Sequence, residues 1–152
     1  MGIRKNCCPS YFFNQFNTGV LVPPPPNMPV DVIEVDVITE TMNERVRIDS
    51  MLFAFIFSNS EGDTYGFQIA FRLSRDDTEL ALVALTNLAQ VKQAGFVAFN
   101  DDTVNITWTD IPGAPGTYTY RITAERLVEE NISAVNVGTR SIDAIVFPAV
   151  NP

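Results

Sequence analysis

The stretch Tyr65-Gly66-Phe67-Gln68-Ile69-Ala70-Phe71-Arg72-Leu73 carries a large apolar side chain at every second position without a break. Successive side chains of a strand point to opposite faces of a sheet, so a period of two marks a strand with one face buried. The flanks agree. Ser58-Asn59-Ser60-Glu61-Gly62-Asp63 reads as a loop, and before it Met51-Leu52-Phe53-Ala54-Phe55-Ile56-Phe57 is apolar on both faces. Such a strand is covered on both sides, in a sandwich by core on one face and another subunit on the other. On the far side, Arg75-Asp76-Asp77-Thr78 is open to two readings. Asp76 placed three residues before Glu79, with Gly95 beyond, suits a capped helix over 77–94. Alternatively, Asp76-Asp77 is a tight turn into an antiparallel strand through Leu80, Leu82 and Ala84. The period of two in every neighbouring segment favours the hairpin.

The same punctuation runs through residues 30–152. Val30 to Ile38 alternates apolar and acidic residues, with a phase slip at Val32-Ile33 that predicts a β-bulge. Val46 and Ile48 lead into the Met51–Phe57 run. Gly95–Phe99 and Val104–Trp108 flank a turn at Asn100-Asp101-Asp102, and Asp110 to Gly116 is a turn rich in proline and glycine. Thr117–Ala124, Ile132–Val137 and Ile142–Phe147 complete the series. Nine or ten short strands at spacings of roughly 8–12 residues predict an all-β sandwich or barrel in one domain. Trp108 reads as core. Phe53, Phe55, Phe57, Phe67 and Phe71 read as core or as the seam of an oligomer.

Residues 1–29 differ in kind and read as a separate N-terminal connector. They hold both cysteines (Cys7 and Cys8), six of the ten prolines, and the aromatic cluster Tyr11, Phe12, Phe13 and Phe16, followed by Val20, Leu21 and Val22. Pro23, Pro24, Pro25 and Pro26 favour polyproline II, a semi-rigid spacer. Fully extended, such a segment spans at most about 95 Å, enough to reach a neighbouring molecule. Disordered tails are poor in aromatics, so this segment is expected to dock into another copy; the alternatives are a first strand folded back on its own domain and a disordered tail. Adjacent cysteines bond each other only through a strained ring, so Cys7 and Cys8 read either as intermolecular cross-links or as thiols kept reduced.

The chain has 152 residues, ten basic against eighteen acidic, for a formal charge of −8. Nucleic-acid backbones and anionic membranes repel such a chain, and no apolar run approaches the roughly 20 residues of a membrane-spanning helix. There is no histidine, hence no His-based triad, and the two lysines, Lys5 and Lys92, are far apart. No phosphate loop, Cys-x-x-Cys pair or EF-hand spacing is present. The pairs Asp76-Asp77 and Asp101-Asp102 read as turn residues before they read as a weak Ca²⁺ site. No enzyme activity, catalytic residue, metal or cofactor is expected.

The closing segments, Asp110-Ile111-Pro112-Gly113-Ala114-Pro115-Gly116-Thr117-Tyr118-Thr119-Tyr120 and then Ala134 to Phe147, resemble the last strands of tumour-necrosis-factor-like jelly rolls. That resemblance covers roughly residues 44–148 and implies a jelly-roll β-sandwich that forms a trimer, with central strands facing a threefold axis. A cysteine-bearing connector before a β-sandwich is similar to the endospore appendage (pilus) subunits of Bacillus and to exosporium proteins. It implies an extracellular spore-surface fibre in which trimers join head to tail through N-terminal peptides. The domain here lacks the cysteines of the best-known appendage type. The alternative is a fibre-tip or exosporium-layer binding or adaptor module, attached through the same peptide. The partners implied are further copies of the chain and an anchoring or tip protein of the spore surface.

Overall fold

The computed structural model describes residues 8–25 and 28–149. Nine strand segments follow one another without a helix among the described residues: β1 (Ser10–Phe16), β2 (Val20–Leu21), β3 (Val30–Thr39), β4 (Arg45–Ser58), β5 (Thr64–Arg75), β6 (Thr78–Val91), β7 (Phe99–Asp110), β8 (Gly116–Glu130) and β9 (Ile132–Phe147). They form two antiparallel sheets. One has the order β1-β9-β4-β7, with β2 continuing along β9 beyond β1; the other has the order β3-β8-β5-β6. With β1 and β2 counted as one broken strand, consecutive strands alternate between the two sheets except at the β5–β6 hairpin, which is the order of the eight-stranded jelly roll.

Alternation builds the core. Val46, Ile48, Leu52, Ala54 and Ile56 of β4 meet Phe67, Ile69, Phe71 and Leu73 of β5 and Tyr120 and Ile122 of β8 between the sheets, all buried. The expected β-bulge is present: the β3–β8 register shifts between Asp31 and Ile33, which lets Val32 and Ile33 both turn inward. The hairpin also forms. Arg75 pairs with Thr78 across Asp76-Asp77, and Asp76 takes φ 49°, a left-handed conformation that Asp tolerates. Its Oδ1 accepts a 3.0 Å hydrogen bond from the Thr119 amide.

The strands are fewer and longer than their sequence signals. Val46 to Phe57 falls within one strand of 14 residues, Arg45–Ser58, and Ile132–Phe147 is one of 16, because register shifts opposite Phe53 and near Ser58 absorb the irregularities that read as breaks. Gly95 to Ala98 is loop, and only Phe99 opens β7. Trp108, expected in the core, lies on β7 at the edge of its sheet and is 40% exposed.

The largest correction concerns the N-terminal segment. Within the expected connector, the described strands Ser10–Phe16 and Val20–Leu21 do not stand apart from the strands that begin at Val30. All seven residues of β1 pair with β9 of the same chain, from Ser10 against Val146 to Phe16 against Arg140. Val20 and Leu21 continue along the same strand against Val137 and Asn136, and Val22 is fully buried in the core. The seven strands from Val30 onward leave the flank of β9 open, and the N-terminal aromatic segment closes it. Cys7 and Pro26 lie outside the described residues; Cys8 is exposed, and Pro23 to Pro25 lead away from the buried Val22.

Candidate self-association surfaces

The outer face of the β1-β9-β4-β7 sheet is where the sequence placed a seam, and the register fixes what it displays. On β4 the odd positions Met51, Phe53, Phe55 and Phe57 turn away from the core, while Leu52, Ala54 and Ile56 turn into it. The five-phenylalanine set therefore divides. Phe67 and Phe71 are core, at most 1% exposed, whereas Phe53, Phe55 and Phe57 stand on the outer surface. Phe99 of β7 joins them, its ring centroid 5.0 Å from that of Phe57 and 6.0 Å from that of Phe55. Gly138 makes room for this cluster: a Cβ there would lie 2.5 Å from a ring carbon of Phe55.

The N-terminal strand extends the same face. Tyr11 pairs with Ile145 and Phe13 with Asp143, leaving their rings 72% and 75% exposed. Phe12 turns the other way and packs against the core. Of the expected docking residues, then, Phe12 and Val22 serve the chain's own interior; Tyr11, Phe13, Phe16 and Leu21 keep exposed surface, and Val20 is half-buried. Between the aromatic ends of the face lies a polar strip. Asp143 sits opposite Asp49, which accepts a 2.8 Å hydrogen bond from Thr107 and pairs with Arg47 at 2.9 Å.

Arg140 anchors the N-terminal segment, and sequence reading gave it no role. It is 5% exposed, and its hydrogen bonds go to backbone carbonyls: Nε to Val32 at 2.6 Å, and a terminal nitrogen to Gly138 at 3.0 Å and to Thr18. The guanidinium also lies 5.0 Å from the Phe16 ring centroid. Burial pushes its pKa below the ordinary value. The only sequence signal was an arginine in a run of small and apolar residues.

A second polar cluster ties the sheets together. Asp110 at the end of β7 accepts hydrogen bonds from Arg75 of β5 at 2.7 Å and from the Tyr120 hydroxyl of β8 at 2.8 Å. Burial first, then the hydrogen bond to Asp110, raises the Tyr120 pKa far above its ordinary value. Among the described residues no group of three or more Cys, Asp or Glu is placed to hold a metal. Among the described residues no helix is long and apolar enough to cross a membrane. Asp76 and Asp101 are used as turn and strand residues, the former holding the Thr119 amide.

No protein-family model matches the sequence, and no curated protein matches it. Solved structures with a similar course include that of infectious bursal disease virus strain Gx, at TM-score 0.45 and 8% identity over 100% of this chain and 38% of that one. The VP2 subviral particle of the same virus gives TM-score 0.44 at 7% identity over 92% of this chain and 33% of that one. Latent PorU from Porphyromonas gingivalis gives TM-score 0.43 at 11% identity over 93% of this chain and 13% of that one. The chain thus spans well under half the length of these proteins. The class of the protein rests on its own strand order: an all-β jelly-roll sandwich.

Proposed function

We propose that the chain is a non-catalytic structural subunit that assembles with copies of itself. The observation that supports this best is the outer face of β4, where Met51, Phe53, Phe55 and Phe57 follow one another at every second position beside Phe99. Soluble monomers seldom display a contiguous apolar patch of that kind, and burying one such ring stabilises a contact by about 1.5–3 kcal/mol before ordering costs. Met51 and Phe57 are each about two-fifths exposed, so the free energy is available to a partner. Three copies meeting through this face form a trimer about an axis along β4.

The finer reading is an extracellular fibre of the spore-surface type. Head-to-tail joining there uses exchange: β1 leaves its own β9 and makes the same ladder to β9 of a neighbouring trimer. Exchange of an identical element costs little, because every contact is remade, and a contact that does not close on itself propagates. The position of β1 at a sheet edge and the proline segment after Val22 suit such an exchange. A fibre-tip or exosporium-layer adaptor is the second reading.

Electron microscopy of the purified chain tests this directly. Filaments or threefold particles support the reading, and a dispersed monomer at high concentration overturns it. Binding on a glycan array without assembly supports the tip module instead.

A further inference from the structure

The sandwich has four strand edges, and three carry devices that discourage pairing. β3 has Asp31, Glu34 and Asp36 and a bulge after Asp31. β7 has Asp101, Asp102 and Asp110. β1 is only seven residues long and follows Pro9. Short length, charge, proline and bulges each blunt an edge. β6 differs: from Leu80 to Val91 it runs twelve residues without a charge or a proline. Leu82 is 50% exposed and Leu88 59% exposed along it.

The flat part of β6 has defined limits. A register shift against β5 leaves Leu80 unpaired at one end, and Ala89 takes φ 58° at the other. Between them Ala81 to Asn87 pair with Leu73 to Phe67 without a break, and Ala84 is the middle residue. We propose that the free edge of β6 pairs antiparallel with β6 of a second copy across a twofold axis at Ala84.

Self-complementarity identifies the second copy as occupant. With the axis at Ala84, Leu82 lies opposite Thr86 and Val83 opposite Leu85, so each side chain meets one of similar size or a small polar group. No charge meets a like charge, since the flat run holds none. Each outward N–H and C=O gains a strand partner over a seam of about 24 Å, joining two four-stranded sheets into one. A partner recognised through charge would find nothing here to grip. The inference rests on the self-assembly reading but uses the other sheet. A trimer built on the β4 face would present three β6 edges, and pairing them links trimers side by side into a layer.

Sedimentation velocity on freshly purified wild type, Ala84→Lys and Ala84→Glu, before β1 exchange joins trimers end to end, tests the contact. Ala84 is exposed, so neither variant disturbs the core. Wild type should show species of twice the trimer mass or larger. Each variant alone should stop at the trimer, since like charges then face each other across the axis. An equimolar mixture of the two should restore the larger species, because Lys then faces Glu. Larger species persisting in either variant alone, or wild type stopping at the trimer, overturns the β6 contact and leaves the trimer standing. A wild-type dimer abolished by Ala84→Lys sustains the β6 contact and overturns the trimer. A wild-type monomer overturns both.

Discussion

The guanidinium of Arg140 on β9 lies 5.0 Å from the ring centroid of Phe16, the last residue of β1, in the same residue pair that ends the β1–β9 ladder. One buried cation thus holds the ring of the N-terminal strand and the Thr18 carbonyl just beyond it. Together with its bond to Val32 it fastens Phe16 and Thr18 to both sheets. The N-terminal strand is therefore held by a specific clamp as well as by its ladder.

Replacing Arg140 by Met should leave the Val32 and Gly138 carbonyls unpartnered and lower stability by about 1–3 kcal/mol. The effect should be local. Amide exchange over Ser10–Phe16 should quicken before that of β4 or β5, as measured by hydrogen–deuterium exchange. Uniform quickening across all strands would show that Arg140 stabilises the sandwich as a whole and does not act as a clamp on β1.

Core and surface phenylalanines should part company. Phe71→Ala should cost about 3–5 kcal/mol in urea unfolding, because Phe71 is fully buried. Phe53→Ser should change monomer stability by less than about 1 kcal/mol and weaken self-association instead. Two similar losses of stability, with association untouched, would place Phe53 in the interior.

Gly138→Ala should push the Phe55 ring out of its seat, because the added methyl would lie 2.5 Å from that ring. The ring is at a surface and can turn away, so the fold survives while the aromatic face loses its shape. Self-association should weaken by about tenfold or more, seen as a shift of the association midpoint in light scattering.

Tyr120 makes stability depend on alkaline pH. Its folded-state pKa is raised above the ordinary value of 10.0, so between the two the unfolded chain has lost a proton that the folded chain keeps. Stability is therefore whole below pH 10 and falls as pH rises past it. Tyr120→Phe should cost about 1 kcal/mol at neutral pH, since Asp110 keeps Arg75, and should flatten the alkaline fall. An unchanged alkaline fall in the variant would assign it to other groups.

Much of the sandwich was legible because alternation is a local property. Tyr65 to Leu73 and the bulge at Val32-Ile33 declare themselves within a few residues, whereas the Asp76-Asp77 turn is separated from a capped helix over 77–94 only by the period of its neighbours. The join of Ala134–Val137 to Ile142–Phe147 into one strand did not, because Gly138 and Arg140 interrupt the pattern for reasons set elsewhere: a ring packed on the glycine and carbonyls gathered by the arginine. The N-terminal strand was hidden for a similar reason. Tyr11-Phe12-Phe13 is apolar on both faces and sits before a proline run, so composition set it apart; only the open flank of β9 reveals that it has a place at home. The split between Phe55 and Phe71 depended on register, which a strand shared between two surfaces does not announce.

Sedimentation equilibrium of the purified chain at neutral pH, beside a Phe55→Asp variant, bears most directly on the aromatic face of β4. Because β6 pairing and β1 exchange both build on the trimer, the measurement belongs in the Ala84→Lys background and on freshly purified protein, before exchange joins trimers into fibres. A trimer through this face has a mass of about 50 kDa, three times the 16.8 kDa of one chain, and should fall to the single-chain mass when Phe55 becomes Asp. A single-chain mass before that substitution, or a trimer that survives it, would mean that the aromatic face of β4 does not join the copies.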